Sequence, residues 1–148
     1  MSGDVFMREA LALACQARAN GEVPVGAVVV LGGEVRGRGS NAAIRLNDPT
    51  AHAEMLAIRE AAAAIGNYRL EGAILYSTFE PCVMCAGALV AARVGRLVFG
   101  VRNSRRGGGR SKFNLANYEL LNHRLEIVEG VLAADCLALV CRFYEQPR

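Results

Sequence analysis

The stretch Ala73–Val101 reads AILYSTFEPCVMCAGALVAARVGRLVFGV. Ala73 to Phe79 is an apolar run rich in strand formers, and Glu80-Pro81 breaks it. Cys82 to Arg93 is compatible with a helix and has proline just before it, a residue favoured at helix starts. Arg96 to Val101 is a second strand-like run. Strand, helix and strand joined by short connections predict a right-handed crossover between parallel neighbours.

The flanking sequence extends this unit on both sides. Met7 to Ala19 carries apolar residues at helical spacing and ends on Asn20-Gly21, a plausible C-cap. Val25 to Leu31 is an almost unbroken apolar run, followed by Gly32-Gly33 and then Glu34 to Ser40. That pattern predicts a hairpin whose first strand is buried on both faces. Asn41 to Thr50 reads as a loop closed by Asn47-Asp48-Pro49-Thr50, a turn and helix-start signal. Ala51 to Ile65 is alanine-rich and helical, stopped by Gly66-Asn67. Beyond Val101 come a glycine- and arginine-rich loop from Arg102 to Ser111, a short fifth strand over Leu125–Val128, and a closing helix over Leu132–Tyr144. The expected fold is α/β, one domain over residues 1–148, with a mixed sheet and helices on both faces. Sites in such sheets lie at the carboxyl ends of strands.

A chain of 148 residues is long enough for one domain with its own core and short for two. Hydrophobic residues at 53% against 21% charged exclude a disordered chain. No apolar run reaches the roughly 18 residues that span a bilayer, so no membrane partner is expected. Met1 to Glu9 lacks the basic start and apolar core of a signal peptide, which points to a soluble, intracellular protein. The net charge of +3 is too small to indicate a nucleic-acid partner by itself. Its distribution is more telling. Arg93, Arg96, Arg102, Arg105, Arg106, Arg110 and Lys112 fall in a segment without an acid. Read alone, that segment is a solvated loop plus strand ends.

Five cysteines without an export signal argue against a disulfide framework. Cys15, Cys136 and Cys141 lie in apolar helical patterns and read as small core residues. Cys82 and Cys85 have ligand spacing, and their place at a helix start favours the thiolate that a metal requires. With the imidazole of His52 they make a three-ligand zinc set, leaving a fourth tetrahedral position for water. Such a site supplies hydroxide as a nucleophile at neutral pH. Glu54, two residues after His52, is then free to shuttle protons rather than ligate, because a water activated as nucleophile must lose a proton. A closed structural zinc site is the alternative, but it wants a fourth protein ligand, and His123 is the only other histidine.

The pairing of His52-Ala53-Glu54 with Pro81-Cys82-Val83-Met84-Cys85 resembles the signature of zinc nucleobase deaminases. Longer stretches are more specific. Asp48-Pro49-Thr50-Ala51-His52-Ala53-Glu54 and Glu80-Pro81-Cys82-Val83-Met84-Cys85-Ala86-Gly87-Ala88 resemble the bacterial tRNA-specific adenosine deaminase family. So do Val23 to Val28, Asn67 to Leu70 and Asn122-His123-Arg124. The similarity runs from about Met7 to Arg142. It implies a three-layer α/β/α cytidine-deaminase-like fold with a five-stranded mixed sheet, a homodimer and a cytoplasmic location. It also implies one Zn²⁺ on His52, Cys82 and Cys85, Glu54 as the catalytic acid/base, and Asn41 in contact with the base. The implied substrate is the wobble adenosine of a tRNA anticodon loop, which becomes inosine.

The chain departs from that family where Val101-Arg102-Asn103-Ser104 replaces Ala-Arg-Asp-Ala. The family's aspartate at the Asn103 position is associated with the ribose 2′-hydroxyl, and a neutral asparagine should relax the demand for RNA. Val101, Asn103, Ser104, Arg106, Asn117, Tyr118, Tyr144 and Pro147, among others, resemble the substitutions of laboratory-evolved DNA adenosine deaminases used in adenine base editors. That resemblance makes deoxyadenosine in single-stranded DNA the main expectation and the tRNA anticodon loop the alternative. Ala53, Val101, Asn103, Arg106, Tyr118 and Tyr144 join Asn41 as expected substrate contacts. Phe113, Tyr118, Phe143 and Tyr144 are candidates for base stacking, with core packing as the competing role.

Overall fold

β1 (Gly26–Leu31) is buried over five of its six residues because it is paired on both edges and covered on both faces. It forms an antiparallel hairpin with β2 (Glu34–Ser40) through Gly32 and Gly33, whose φ values of 64° and 77° are those a tight hairpin turn demands. On its other edge β1 runs antiparallel to β3 (Ile74–Phe79). β3 then pairs in parallel with β4 (Arg96–Val101), and β4 with β5 (Glu126–Glu129). The five strands lie in the order β2-β1-β3-β4-β5, a mixed sheet as the sequence predicts. In a computed structural model the chain is described over residues 3–145, the side chains of residues 144 and 145 excepted.

Strand alternation divides the core into two layers. Ala27, Val29, Leu75, Leu97 and Phe99 face α2 (Ala53–Ile65) and α3 (Val83–Ala91). Val28, Val30, Tyr76 and Val98 face α1 (Gly3–Ala19) and α4 (Ala133–Glu145). Each fully buried Leu or Phe in these layers stabilises the fold by about 2–3 kcal/mol. α2 comes closest to the sheet because β2 offers it glycine. A Cβ on Gly37 would lie 2.1 Å from the Ala57 carbonyl oxygen, and one on Gly39 would lie 1.9 Å from that of Ala53. The first turn of α2 is thereby pressed onto the sheet.

Several expected boundaries shift. α1 begins at Gly3, four residues before the expected start. α2 begins at Ala53, so His52 is its N-cap and lies outside the helix. α3 ends at Ala91 because Arg93 takes a left-handed φ of 61°. The strands joined through α2 are not neighbours, since β1 lies between β2 and β3. Cys136 is buried as expected, but Cys15 and Cys141 are exposed, on the solvent sides of their helices. Among the described residues no helix is long and apolar enough to cross a membrane.

Candidate active site

Two helix starts meet at the carboxyl end of β3. His52 is the N-cap of α2 (φ −76°, ψ 152°) and Cys82 the N-cap of α3 (φ −71°, ψ 178°), and neither side chain caps its helix. Extended backbone at both positions turns these side chains away from the helix surface. The cap of α2 comes instead from Asn41, whose Oδ1 accepts the Ala53 N–H at 2.8 Å. The segment between Asn41 and His52 is held from below by Glu22, a buried carboxylate that accepts the Ile44 and Arg45 N–H groups at 3.1 and 2.7 Å. Asp48 Oδ1 closes the last turn by accepting both the N–H and the hydroxyl of Thr50.

A tetrahedral ion with Zn–S of about 2.3 Å and Zn–N of about 2.0 Å requires S···S near 3.8 Å and S···N near 3.5 Å. Cys82 Sγ and Cys85 Sγ lie 3.8 Å apart, and each is 3.5 Å from His52 Nδ1. The donors therefore have the chemistry and the mutual spacing of three corners of a zinc tetrahedron. Among the described residues this is the one cluster of His, Cys, Asp and Glu able to hold a metal ion. Without metal the three groups share protons. The Cys85 hydrogen bond, with His52 second, holds the Cys82 thiol down at about 4. The same bond and burial push Cys85 far above the usual thiol range, and the Cys82 hydrogen bond raises His52. A metal ion would displace those protons.

Glu54 is 4% exposed, and burial pushes its carboxyl up to about 7. It lines a cavity of about 100 Å³ with His52, Cys82, Asn41, Val23, Val25, Phe79, Glu80, Asn103 and Arg106. A larger groove of about 700 Å³ adjoins it, sharing Val23, Phe79, Asn103 and Arg106. Val101, Arg102, Ser104 and Arg105 also line that groove, as do Leu137 and Val140 of α4.

The loop after β4 is half buried, contrary to the expectation of a solvated segment. Gly107, Gly108 and Gly109 are buried while Arg102, Arg105, Arg106 and Arg110 are exposed. Glu80 is the reason. Its carboxylate, 1% exposed, accepts the N–H groups of Asn103 (3.1 Å), Arg110 (2.7 Å) and Ser111 (2.8 Å), and also the Ser111 hydroxyl. Four donors satisfy a charge that would otherwise be costly to bury. Asn103 Oδ1 accepts the Arg105 and Arg106 N–H groups at 3.3 and 3.1 Å, which folds the arginine turn over the cavity.

The structure thus brings together His52, Glu54, Cys82, Asn41, Asn103 and Arg106 at one cavity, with Cys85 behind and Val101 on the adjoining groove. Ala53 is fully buried and lines neither space, so what it presents is its backbone N–H to Asn41. Tyr118 is 41% exposed and Phe113 55% exposed, and neither lines the cavity or the groove. The side chain of Tyr144, like Pro147, lies outside the described residues. Glu22 and Glu80 were not singled out from sequence. Their roles leave no mark in the sequence, because the groups that they hold are backbone N–H groups far along the chain.

Residues 2–101 match the family described as the cytidine and deoxycytidylate deaminase zinc-binding region. The tRNA-specific adenosine deaminase of Bacillus subtilis is 44% identical over 145 residues, covering 98% of this chain and 90% of that protein. The tRNA-specific adenosine deaminase of Haemophilus influenzae is 46% identical over 144 residues, covering 97% of this chain and 83% of that protein. A solved structure from work on A-to-I editing by tRNA:A34 deaminases superposes with a TM-score of 0.87 at 40% identity, covering 90% of this chain and 97% of that one. The guanine deaminase of Nitrosomonas europaea shares the scaffold at a TM-score of 0.84 but only 25% identity, over 96% of this chain and 84% of that one. With its zinc ligand set and buried glutamate at one cavity, the chain belongs to the tRNA-specific adenosine deaminase family of zinc-dependent hydrolytic deaminases.

Proposed function

We propose that this chain converts adenosine to inosine in a single-stranded nucleic acid, with the anticodon loop of tRNA as its substrate. The observation that carries this reading is the cavity in which His52, Cys82 and Cys85 stand at tetrahedral spacing beside the buried Glu54. Zinc held there supplies a Lewis acid that lowers the pKa of water toward about 7. The remaining work falls to the chain's own residues. Glu54 takes the proton that water gives up and passes it to a ring nitrogen. The exocyclic amine leaves as ammonia, so one C–N bond is exchanged for one C–O bond and no redox partner is needed. With its oxygen committed to Ala53 N–H, Asn41 keeps its NH₂ donors for the base. Val25 and Phe79 supply apolar walls.

A base inside a duplex cannot enter such a cavity, so a loop or single strand is required. Arg105 and Arg106 at the adjoining groove suit its phosphates, which add affinity without reading sequence. Support for tRNA comes from relatives 44–46% identical, against 25% for a guanine deaminase on the same scaffold. Exposed Val83, Gly87 and Ala91 form an apolar row along α3, which supports a homodimer as part of the same reading. Sedimentation velocity tests that part.

A second reading, deoxyadenosine in single-stranded DNA by a laboratory-evolved enzyme, is favoured by Asn103. This neutral amide lines the cavity where the family resemblance implies an aspartate. Deoxyribose, lacking the 2′-hydroxyl donor, leaves no carboxylate unpaired there. The test is inosine formation by zinc-loaded protein on an RNA anticodon stem-loop and on DNA of the same loop sequence. Turnover restricted to RNA supports the tRNA reading, efficient DNA turnover supports the second, and none on either overturns both.

A further inference from the structure

The basic segment between Arg93 and Lys112 does not present its charges equally. Arg102 grips Glu129 with two hydrogen bonds, Nε to Oε2 at 2.7 Å and Nη2 to Oε1 at 2.9 Å. Arg110 Nη1 reaches the same carboxylate at 3.1 Å. Glu129 ends β5, paired in register with Phe99, so it stands beside the point where the chain leaves β4 for the arginine turn. Arg105 and Arg106 form no ion pair with a described acid. Arg102, Arg105 and Arg106 all line the groove.

A carboxylate held fork to fork offers a guanidinium the same pair of oxygens that a phosphate would. We propose that Glu129 is a built-in phosphate surrogate that occupies Arg102 and Arg110 and so limits how many backbone phosphates of a single-stranded nucleic acid this face can bind. The proposal rests on the nucleic-acid reading above. Two cations and one anion leave this corner at +1 where the arginines alone would give +2. Arg102 and Arg110 hold Glu129 down at about 2, so the surrogate stays charged at every pH at which the enzyme works. Glu129 is not needed to fold the loop, which Glu80 already holds through four donors. It is an affinity-setting residue rather than a catalytic one.

The experiment measures binding of an inosine-containing anticodon stem-loop RNA, which cannot turn over, across a salt series. Each single-strand phosphate contact adds about 0.7 to the slope of log Kd against log salt. Glu129→Gln is expected to steepen the slope by about 0.7–1.4 and to tighten binding by roughly 5–25-fold near 0.1 M salt. Zinc content and kcat at saturating RNA stay as in the wild type, and Glu129→Asp returns toward the wild-type slope. Independently of Glu129, Arg105→Gln should flatten the slope by about 0.7 while Arg110→Gln changes it far less. An unchanged slope in Glu129→Gln, or equal flattening by the two arginine variants, overturns the surrogate. A wild-type affinity indifferent to salt overturns it together with the nucleic-acid reading, so the two failures are distinguishable.

Discussion

Asn41 Oδ1 accepts the Ala53 N–H at 2.8 Å, and this bond lets His52 sit at the N-cap of α2 without capping it. One side chain thus relieves the imidazole of a structural duty and anchors its own amide at the cavity. Asn41→Ala should lose about 1 kcal/mol of stability with the cap, a fall of roughly 2–4 °C in Tm. Asn41→Asp keeps the acceptor and should recover most of that Tm. It lacks the NH₂ donors, however, so turnover should stay roughly 10–100-fold down, the worth of one buried hydrogen bond. Melting curves and steady-state rates on the two variants check this. Recovery of rate along with Tm would contradict the base-contact role.

Glu80 joins the metal-ligand segment to the arginine-rich loop after β4. It precedes Pro81-Cys82 in sequence and holds Asn103, Arg110 and Ser111 through their backbone N–H groups. Glu80→Gln replaces an acceptor oxygen with a donor NH₂ that must face at least one of those N–H groups. We expect a loss of about 1–3 kcal/mol, faster hydrogen exchange at the Asn103 amide or at the Arg110 and Ser111 amides, and a KM increase larger than the fall in kcat. Unchanged exchange at all three amides would refute the clamp.

Gly39 is where the sheet and the metal site constrain each other. Its added Cβ would lie 1.9 Å from the Ala53 carbonyl oxygen, with backbone on both sides and no flexible side chain to yield. Gly39→Ala should push the first turn of α2 outward, destabilise the protein by about 1–3 kcal/mol, and weaken zinc retention in a chelator titration. Substitution at Gly66, whose Cβ would meet nothing, does not touch the metal site, although its φ of 76° strains any L-residue.

What could be read in advance followed from periodicity and spacing. The strand runs, Gly32-Gly33 and the Pro-Cys-x-x-Cys motif each carry their own local signal, and each lies where that signal places it. Glu80 and Glu22 carry none, because their partners are backbone N–H groups 22–31 residues away and the main chain has no sequence signature. Residue type did not distinguish Arg102, neutralised by Glu129, from Arg105 beside it; only the β4–β5 pairing does. Tyr118, expected at the substrate, stands clear of the cavity because the chain between β4 and β5 carries it away from both linings.

The Glu129 pair also sets a pH dependence. Its folded carboxyl lies at about 2 against an ordinary 4.5, so its contribution is fully present above about pH 4.5 and is lost as pH falls toward 2. The pair is partly solvent-exposed, which keeps the effect small. Urea midpoints of metal-free wild type should therefore decline more between about pH 5 and pH 2.5 than those of metal-free Glu129→Gln. Parallel declines would show that the pair adds nothing to folding.

The most direct test of the central claim pairs zinc stoichiometry with inosine yield on single preparations of wild type, Glu54→Gln and Cys82→Ala. The expected result is one zinc and full turnover in the wild type, one zinc and a rate lower by about 10²–10⁴-fold in Glu54→Gln, and little zinc with lowered stability in Cys82→Ala. Zinc-loaded Glu54→Gln that turns over at the wild-type rate would contradict the role given to the buried glutamate, and with it the reading of the cavity as a deaminase site.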